Sequence, residues 1–283
     1  MFMKFPLIDF GGTGPLINIA PANGIPPQTY LPMLQPLRTA YHPVALPPRA
    51  LWGNQSVPET LGTWETDYAR DLLDGLRAHN LTGVIGIGHS FGGIATALAA
   101  LEEPARFRAL ILLDPTILTR QIIEALKLMR ERGTIGEDFP LATRALKRQS
   151  RFASYEDAHS YFRPRGIFKD WDEAALQAYI DDGLIRDSEG VKLAWTPEWE
   201  AYYFKTGYTG TWEMLPKLDG LLPTLILRGG DSDTYIGESS AKVRELLPHA
   251  THVDVPGHGH MFPQSAPAKS GRIIADWLSQ QGL

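Results

Sequence analysis

Two periodicities share the chain. Short apolar runs of strand length occur at residues 44–46, 84–87, 107–113, 224–228 and 251–255, rich in Val, Ile and Leu, the pattern of strands buried on both faces. Between them the spacing turns helical. Tyr68, Leu72 and Leu76, with Leu73 beside them, recur on one face of a helix with Thr66 as its N-cap and Asn80 as its stop. Further helices are predicted over 30–37, 94–101, 239–247 and 268–280, the last with Ile273, Ile274, Trp277 and Leu278 on one side. Alternation of this kind predicts an α/β protein, a mostly parallel sheet with helices on both faces and ligands bound beyond the carboxyl ends of the strands. At the N-terminus, apolar runs at 5–10 and 15–20 flank Gly11-Gly12-Thr13-Gly14 and predict a β-hairpin.

From about residue 117 to 212 the rhythm changes. Helical patterns dominate at 117–132, 142–149, 155–162 and 173–182, with Gly183 as a stop. A hairpin-like piece, 184–186 and 191–193, turns around Ser188-Glu189-Gly190, and another helix starts at Thr196-Pro197. Residues 152–212 hold half of the chain's aromatic side chains. Most are expected to pack the insertion, with a few lining an acyl or aryl pocket. The expected organisation is a core formed by 1–118 and 213–283, interrupted by an insertion over 119–212.

The stretch Val-Ile-Gly-Ile-Gly-His-Ser-Phe-Gly-Gly-Ile, residues 84–94, places a Gly-x-Ser-x-Gly pattern between a predicted strand and a predicted helix, the context of a nucleophile elbow. Glycines two residues either side let strand and helix approach closely around a strained serine. Ser90 is thereby pushed out at the N-terminal end of a helix, whose free N–H groups favour negative charge on a reacting oxygen.

This stretch resembles the elbow of the α/β-hydrolase family, in its serine esterase- and lipase-like branch with a helical cap. The resemblance implies the α/β-hydrolase fold, with a mainly helical cap inserted after the sixth strand. It also implies a catalytic order of serine, acid, histidine. His260 fills the histidine slot in Gly257-His258-Gly259-His260. Asp233, in Gly230-Asp231-Ser232-Asp233, fits the usual acid slot with Asp231 as a near neighbour; Asp114, at the end of the preceding core strand, is the alternative. The loop Asn23-Gly24-Ile25-Pro26 resembles the family's His-Gly-x-Pro with Asn in place of His, implying backbone oxyanion donors from Ile25 and Phe91.

A serine at the elbow argues for acyl chemistry, because attack on an alkyl carbon uses a carboxylate there. The expected activity is a cofactor-independent serine hydrolase of the carboxylesterase type, acting on a small molecule with an apolar acyl or aryl ester. Lactone, thioester or carbon–carbon bond hydrolysis with the same triad, or ligand binding with vestigial turnover, are the alternatives. His258-Gly259-His260 suggests a metal pair, but no third ligand stands at a supporting spacing, so no metal is expected.

Composition narrows the picture further. A formal net charge of −5 with no basic block excludes an electrostatic footprint for nucleic acid. The absence of cysteine excludes disulfides and thiolate chemistry. No apolar run reaches the roughly 18 residues of a membrane span, and Pro6 and Asp9 interrupt the N-terminal apolar stretch, unlike a signal peptide. A cytoplasmic protein is expected, with a homodimer through exposed aromatic surface of the insertion as a possible assembly. Gly11 to Gly14 lacks the spacing of a phosphate-binding loop.

Overall fold

The computed structural model describes residues 5–53 and 55–283. Residues 1–4 of the N-terminal stretch and Asn54 of the loop 47–58 lie outside the described residues. The strands are β1 (Ile8–Asp9), β2 (Leu16–Ala20), β3 (His42–Ala45), β4 (Val84–His89), β5 (Phe107–Leu113), β6 (Arg151–Phe152), β7 (Leu184–Asp187), β8 (Gly190–Leu193), β9 (Thr224–Gly229) and β10 (Thr251–Val255). Seven of them form one sheet in the order β1-β3-β2-β4-β5-β9-β10. Every pairing in it is parallel except β1 with β3.

The expected N-terminal hairpin does not form. β1 pairs antiparallel with β3, Ile8 opposite Ala45, while β2 runs parallel between β3 and β4. The glycines do adopt positive φ, but their use is close approach rather than a hairpin turn. A Cβ on Gly12 would lie 2.3 Å from the Tyr41 carbonyl oxygen, and one on Gly14 2.2 Å from that of Ala40.

β4 is buried along its whole length at the centre of the sheet. The helix Arg70–Ala78 begins one turn later than its spacing predicts, because a π-helical turn, Glu65–Ala69, precedes it and takes in Thr66. Asn80 ends the segment in the left-handed region at φ 52°, as its role as a stop requires.

The insertion leaves the sheet after β5 and returns at β9. It follows the fifth described strand rather than the sixth, since a single antiparallel strand, β1, forms that edge of the sheet. Its main helices are Arg120–Glu131, Pro140–Leu146, Tyr155–Phe162, Glu173–Gly183 and Pro197–Lys205. Thr119, Ser154, Asp172 and Thr196 cap four of these by accepting from first-turn amides. The predicted hairpin forms as β7 and β8, and β6 adds a third antiparallel strand.

Insertion and sheet share their apolar interior. Phe162, Trp171 and Tyr179 belong to one buried cluster with Ile17, Ile19 and Ile111 of the sheet. Trp199, Tyr202 and Tyr203 belong to another with Phe91, Ile94 and Leu72. Among the described residues no helix is long and apolar enough to cross a membrane.

Candidate active site

Ser90 sits between β4 and the helix Phe91–Glu102 with φ 58° and ψ −122°, a conformation costly for a residue with a Cβ. Close packing holds it there. A Cβ on Gly88 would meet the Gly92 carbonyl oxygen at 2.4 Å, and one on Gly92 would meet that of Ala20 at 2.4 Å. The Ser90 amide donates to the Leu113 carbonyl at 3.0 Å, tying the elbow to the end of β5.

His260, in the loop after β10, brings Nε2 to 2.9 Å from Ser90 Oγ. Its Nδ1 lies 2.6 Å from Asp114 Oδ2. Asp114 follows β5 directly, at φ 40°, and its side chain is completely buried. Its Oδ1 accepts the Gly229 amide at 2.8 Å and its Oδ2 accepts the Ser232 hydroxyl at 2.5 Å.

The carboxylate on His260 is therefore that of Asp114 and not of Asp233. In the turn after β9, Ser232 points inward: it donates to Asp114, and its hydroxyl oxygen accepts the Thr234 and Tyr235 amides at 3.2 and 3.0 Å. Its neighbours Asp231 and Asp233 consequently face outward and are exposed. The Asp233 carboxylate accepts from the Thr234 hydroxyl at 3.3 Å and stands at the rim of the cavity.

The oxyanion expectation divides in the same way. The Ile25 amide donates to the Ala22 carbonyl at 3.1 Å, closing a turn, and is not free for a ligand. Phe91 is the first residue of its helix, where the N–H has no intrahelical acceptor. Asn23 lines the cavity, and its amide has no acceptor among the described residues. Its side-chain Nδ2 donates to the Glu200 carbonyl at 2.9 Å, anchoring this loop to the insertion.

Further polar residues around the site carry no motif of their own. Thr116 Oγ1 lies 3.1 Å from Ser90 Oγ. His89 is buried, with Nε2 3.0 Å from the His260 carbonyl and Nδ1 2.6 Å from the Tyr30 hydroxyl. Burial, with the nearby His260 second, pushes the His89 pKa well below the usual imidazole range, so its ring is neutral. A carbonyl can only accept, so Nε2 carries the proton and Nδ1 accepts from Tyr30. The Tyr30 oxygen in turn accepts the Ala22 amide at 2.9 Å. His258, the other histidine of its loop, meets Ser265 Oγ at 3.0 Å.

Above Ser90 lies a cavity of about 440 Å³. Its wall on the insertion side is mainly apolar, with Leu118 just before the insertion and Ile122, Leu126, Phe139, Leu141, Ile167 and Phe204 on it, joined by Arg144, Arg148 and Glu200. Of the aromatic residues between 152 and 212, Phe204 alone among the described lining residues reaches it; the others bear on packing. Phe162, Phe168 and Tyr179 surround the Arg148 guanidinium at 5.6–5.9 Å from their ring centres. Arg148 pairs with Glu200 at 2.5 Å and donates to the Tyr179 hydroxyl. Burial works against its charge, and Tyr179 and Glu200 more than offset that, so its pKa is raised.

A parallel sheet of this order with a strained serine at the tip of β4 defines the class as an α/β hydrolase. The match to the model of the Alpha/beta hydrolase family over residues 20–270 shows that the chain belongs to that family. Among its relatives, the Abhydrolase domain-containing protein ACTT2 of Alternaria alternata is 27% identical over 237 residues, 70% of this chain and 83% of that protein. Ethanol acetyltransferase 1 of Hanseniaspora uvarum is 23% identical over 235 residues, 78% of this chain and 67% of that one. Among solved structures, E-2-(acetamidomethylene)succinate hydrolase superposes with a TM-score of 0.77 at 20% identity, covering 96% of this chain and 94% of its own. At that identity the likeness shows the fold.

Proposed function

We propose that the protein is a serine hydrolase of the carboxylesterase type that forms an acyl-enzyme on Ser90. The observation that carries this reading is the line from Ser90 Oγ to His260 Nε2 at 2.9 Å and from His260 Nδ1 to Asp114 at 2.6 Å, at the floor of a cavity. In it His260 takes the Ser90 proton as Oγ attacks the acyl carbonyl, and Asp114 fixes the imidazole tautomer and stabilises the imidazolium. The amides of Phe91 and Asn23 hold the tetrahedral oxyanion. His260 then protonates the leaving alcohol, and water, activated by the same imidazole, releases the acid. The apolar wall of the cavity favours a small substrate with an apolar acyl or aryl body, and the insertion 119–212 acts as the cap over it.

The test is intact mass after treatment with a fluorophosphonate probe. A single adduct on the wild type that is absent from Ser90→Ala is expected. No adduct on folded wild-type protein would overturn the reading.

A further inference from the structure

The cavity wall carries four charged side chains, Arg144, Arg148, Glu200 and Asp233. Arg148 and Glu200 neutralise each other. Arg144 differs: among the described residues it makes no ion pair and no side-chain hydrogen bond, and it is exposed on the cavity side of the insertion. Its placement is fixed by its helix. In Pro140–Leu146, Ala142 and Ala145 are buried against Ala201 of the helix Pro197–Lys205. Leu141 and Arg144, three residues apart, share the face that lines the cavity.

We propose, building on the reading of Ser90 as nucleophile, that this site takes esters carrying a carboxylate several bonds from the scissile carbonyl, and that Arg144 reads that carboxylate. A guanidinium presents a planar fork that a carboxylate satisfies with two parallel hydrogen bonds. A neutral apolar group offers it nothing. The position of the charge follows from Asp233. That carboxylate stands on the core side of the rim with Thr234 and His260, where it repels an anion close to the reacting carbonyl. Ile122, Leu126, Phe139 and Phe204 supply an apolar lining for the carbons between the two ends.

The experiment compares kcat/KM for p-nitrophenyl monoesters of adipic and suberic acid with that for p-nitrophenyl alkanoates of equal length, after subtraction of uncatalysed hydrolysis. A second pair, 4-carboxybenzyl and 4-carbamoylbenzyl butyrate, places the charge on the alcohol side instead. For the wild type a preference for the carboxylate member of about tenfold is expected in at least one pair, arising mainly in KM and shrinking as salt is raised. Which pair shows it tells whether the acyl or the alcohol portion faces Arg144. The ratio should fall toward one in Arg144→Ala, be partly kept in Arg144→Lys and invert in Arg144→Glu. Because it is taken within each variant, changes in active fraction cancel. Ratios at or below one for the wild type in both pairs, or ratios unchanged in Arg144→Ala, overturn the proposal. If the fluorophosphonate still labels Ser90 in that case, the serine-hydrolase reading stands and the charge preference alone fails. No labelling and no turnover of either series in the wild type would remove both.

Discussion

His89 donates through Nε2 to the main-chain carbonyl of His260, 3.0 Å away, so the residue before the nucleophile holds the backbone of the proposed base. The same imidazole accepts from Tyr30, whose oxygen accepts the amide of Ala22, next to the proposed oxyanion donor Asn23. One buried relay thus links both sides of the reacting centre. His89→Ala should lower kcat by about 10- to 100-fold with a smaller change in KM, since small displacements of reacting groups are costly; steady-state kinetics on any turned-over ester checks this. Tyr30→Phe leaves two buried groups unpaired and should cost on the order of 1–3 kcal/mol in urea unfolding.

The choice between the two acids is sharply testable. Asp114→Asn should reduce kcat by about 10⁴, because the amide supports the wrong imidazole tautomer. Asp233→Asn, on an exposed rim side chain, should stay within about threefold of the wild type in kcat. Comparable losses in both variants would contradict the geometry seen at His260.

Asp71 predicts a pH effect on stability away from the site. It is buried and receives two hydrogen bonds from Arg49, at 2.6 and 2.8 Å. Burial, against the pull of Arg49, pushes its pKa from 3.8 up to about 6. A raised acid pKa means that the folded state binds the proton more tightly. The linked stabilisation is complete below the unfolded value and is lost as pH rises through about 6. Asp71→Asn removes this titration. The stability of the wild type relative to that variant should therefore fall, by an amount on the order of 1–3 kcal/mol, between pH 4 and pH 7 in matched denaturant titrations. A difference constant across that range would contradict the shift.

Gly24 lies at φ 76°, and a Cβ there would stand 3.1 Å from the Glu200 carboxyl carbon. Gly24→Ala should destabilise the protein by about 1–2 kcal/mol through left-handed strain. It should also lower kcat, because the same turn carries Asn23; thermal unfolding and kinetics on one preparation separate the two effects.

Strong local pattern was legible in the sequence. β5 and β10 form over the residues their apolar runs predict, and the elbow carries its serine and glycines at fixed offsets. What escaped depends on contacts between distant segments. The Gly-rich turn reads as a hairpin because the sequence does not reveal that β2 pairs with β4 and leaves β1 to β3. Asp114 and Asp233 are alike in composition; which one meets His260 is decided by Ser232 turning inward. The loop resemblance points to Ile25 as an oxyanion donor, and a single backbone hydrogen bond to Ala22 takes that amide away. Thr116 and Tyr30 stand outside any motif and His89 occupies the variable position of the elbow, so only their distances reveal their contacts.

The shared apolar interior of sheet and insertion bears on how such a protein can be recombined. Phe162, Trp171 and Tyr179 are buried together with Ile17 and Ile111, and Gly183 leaves room for Pro26, which a Cβ would approach to 2.9 Å. The insertion is therefore no interchangeable cassette. Transplanting another insertion onto this sheet, or this insertion onto another, would require the seam to be redesigned from both sides together.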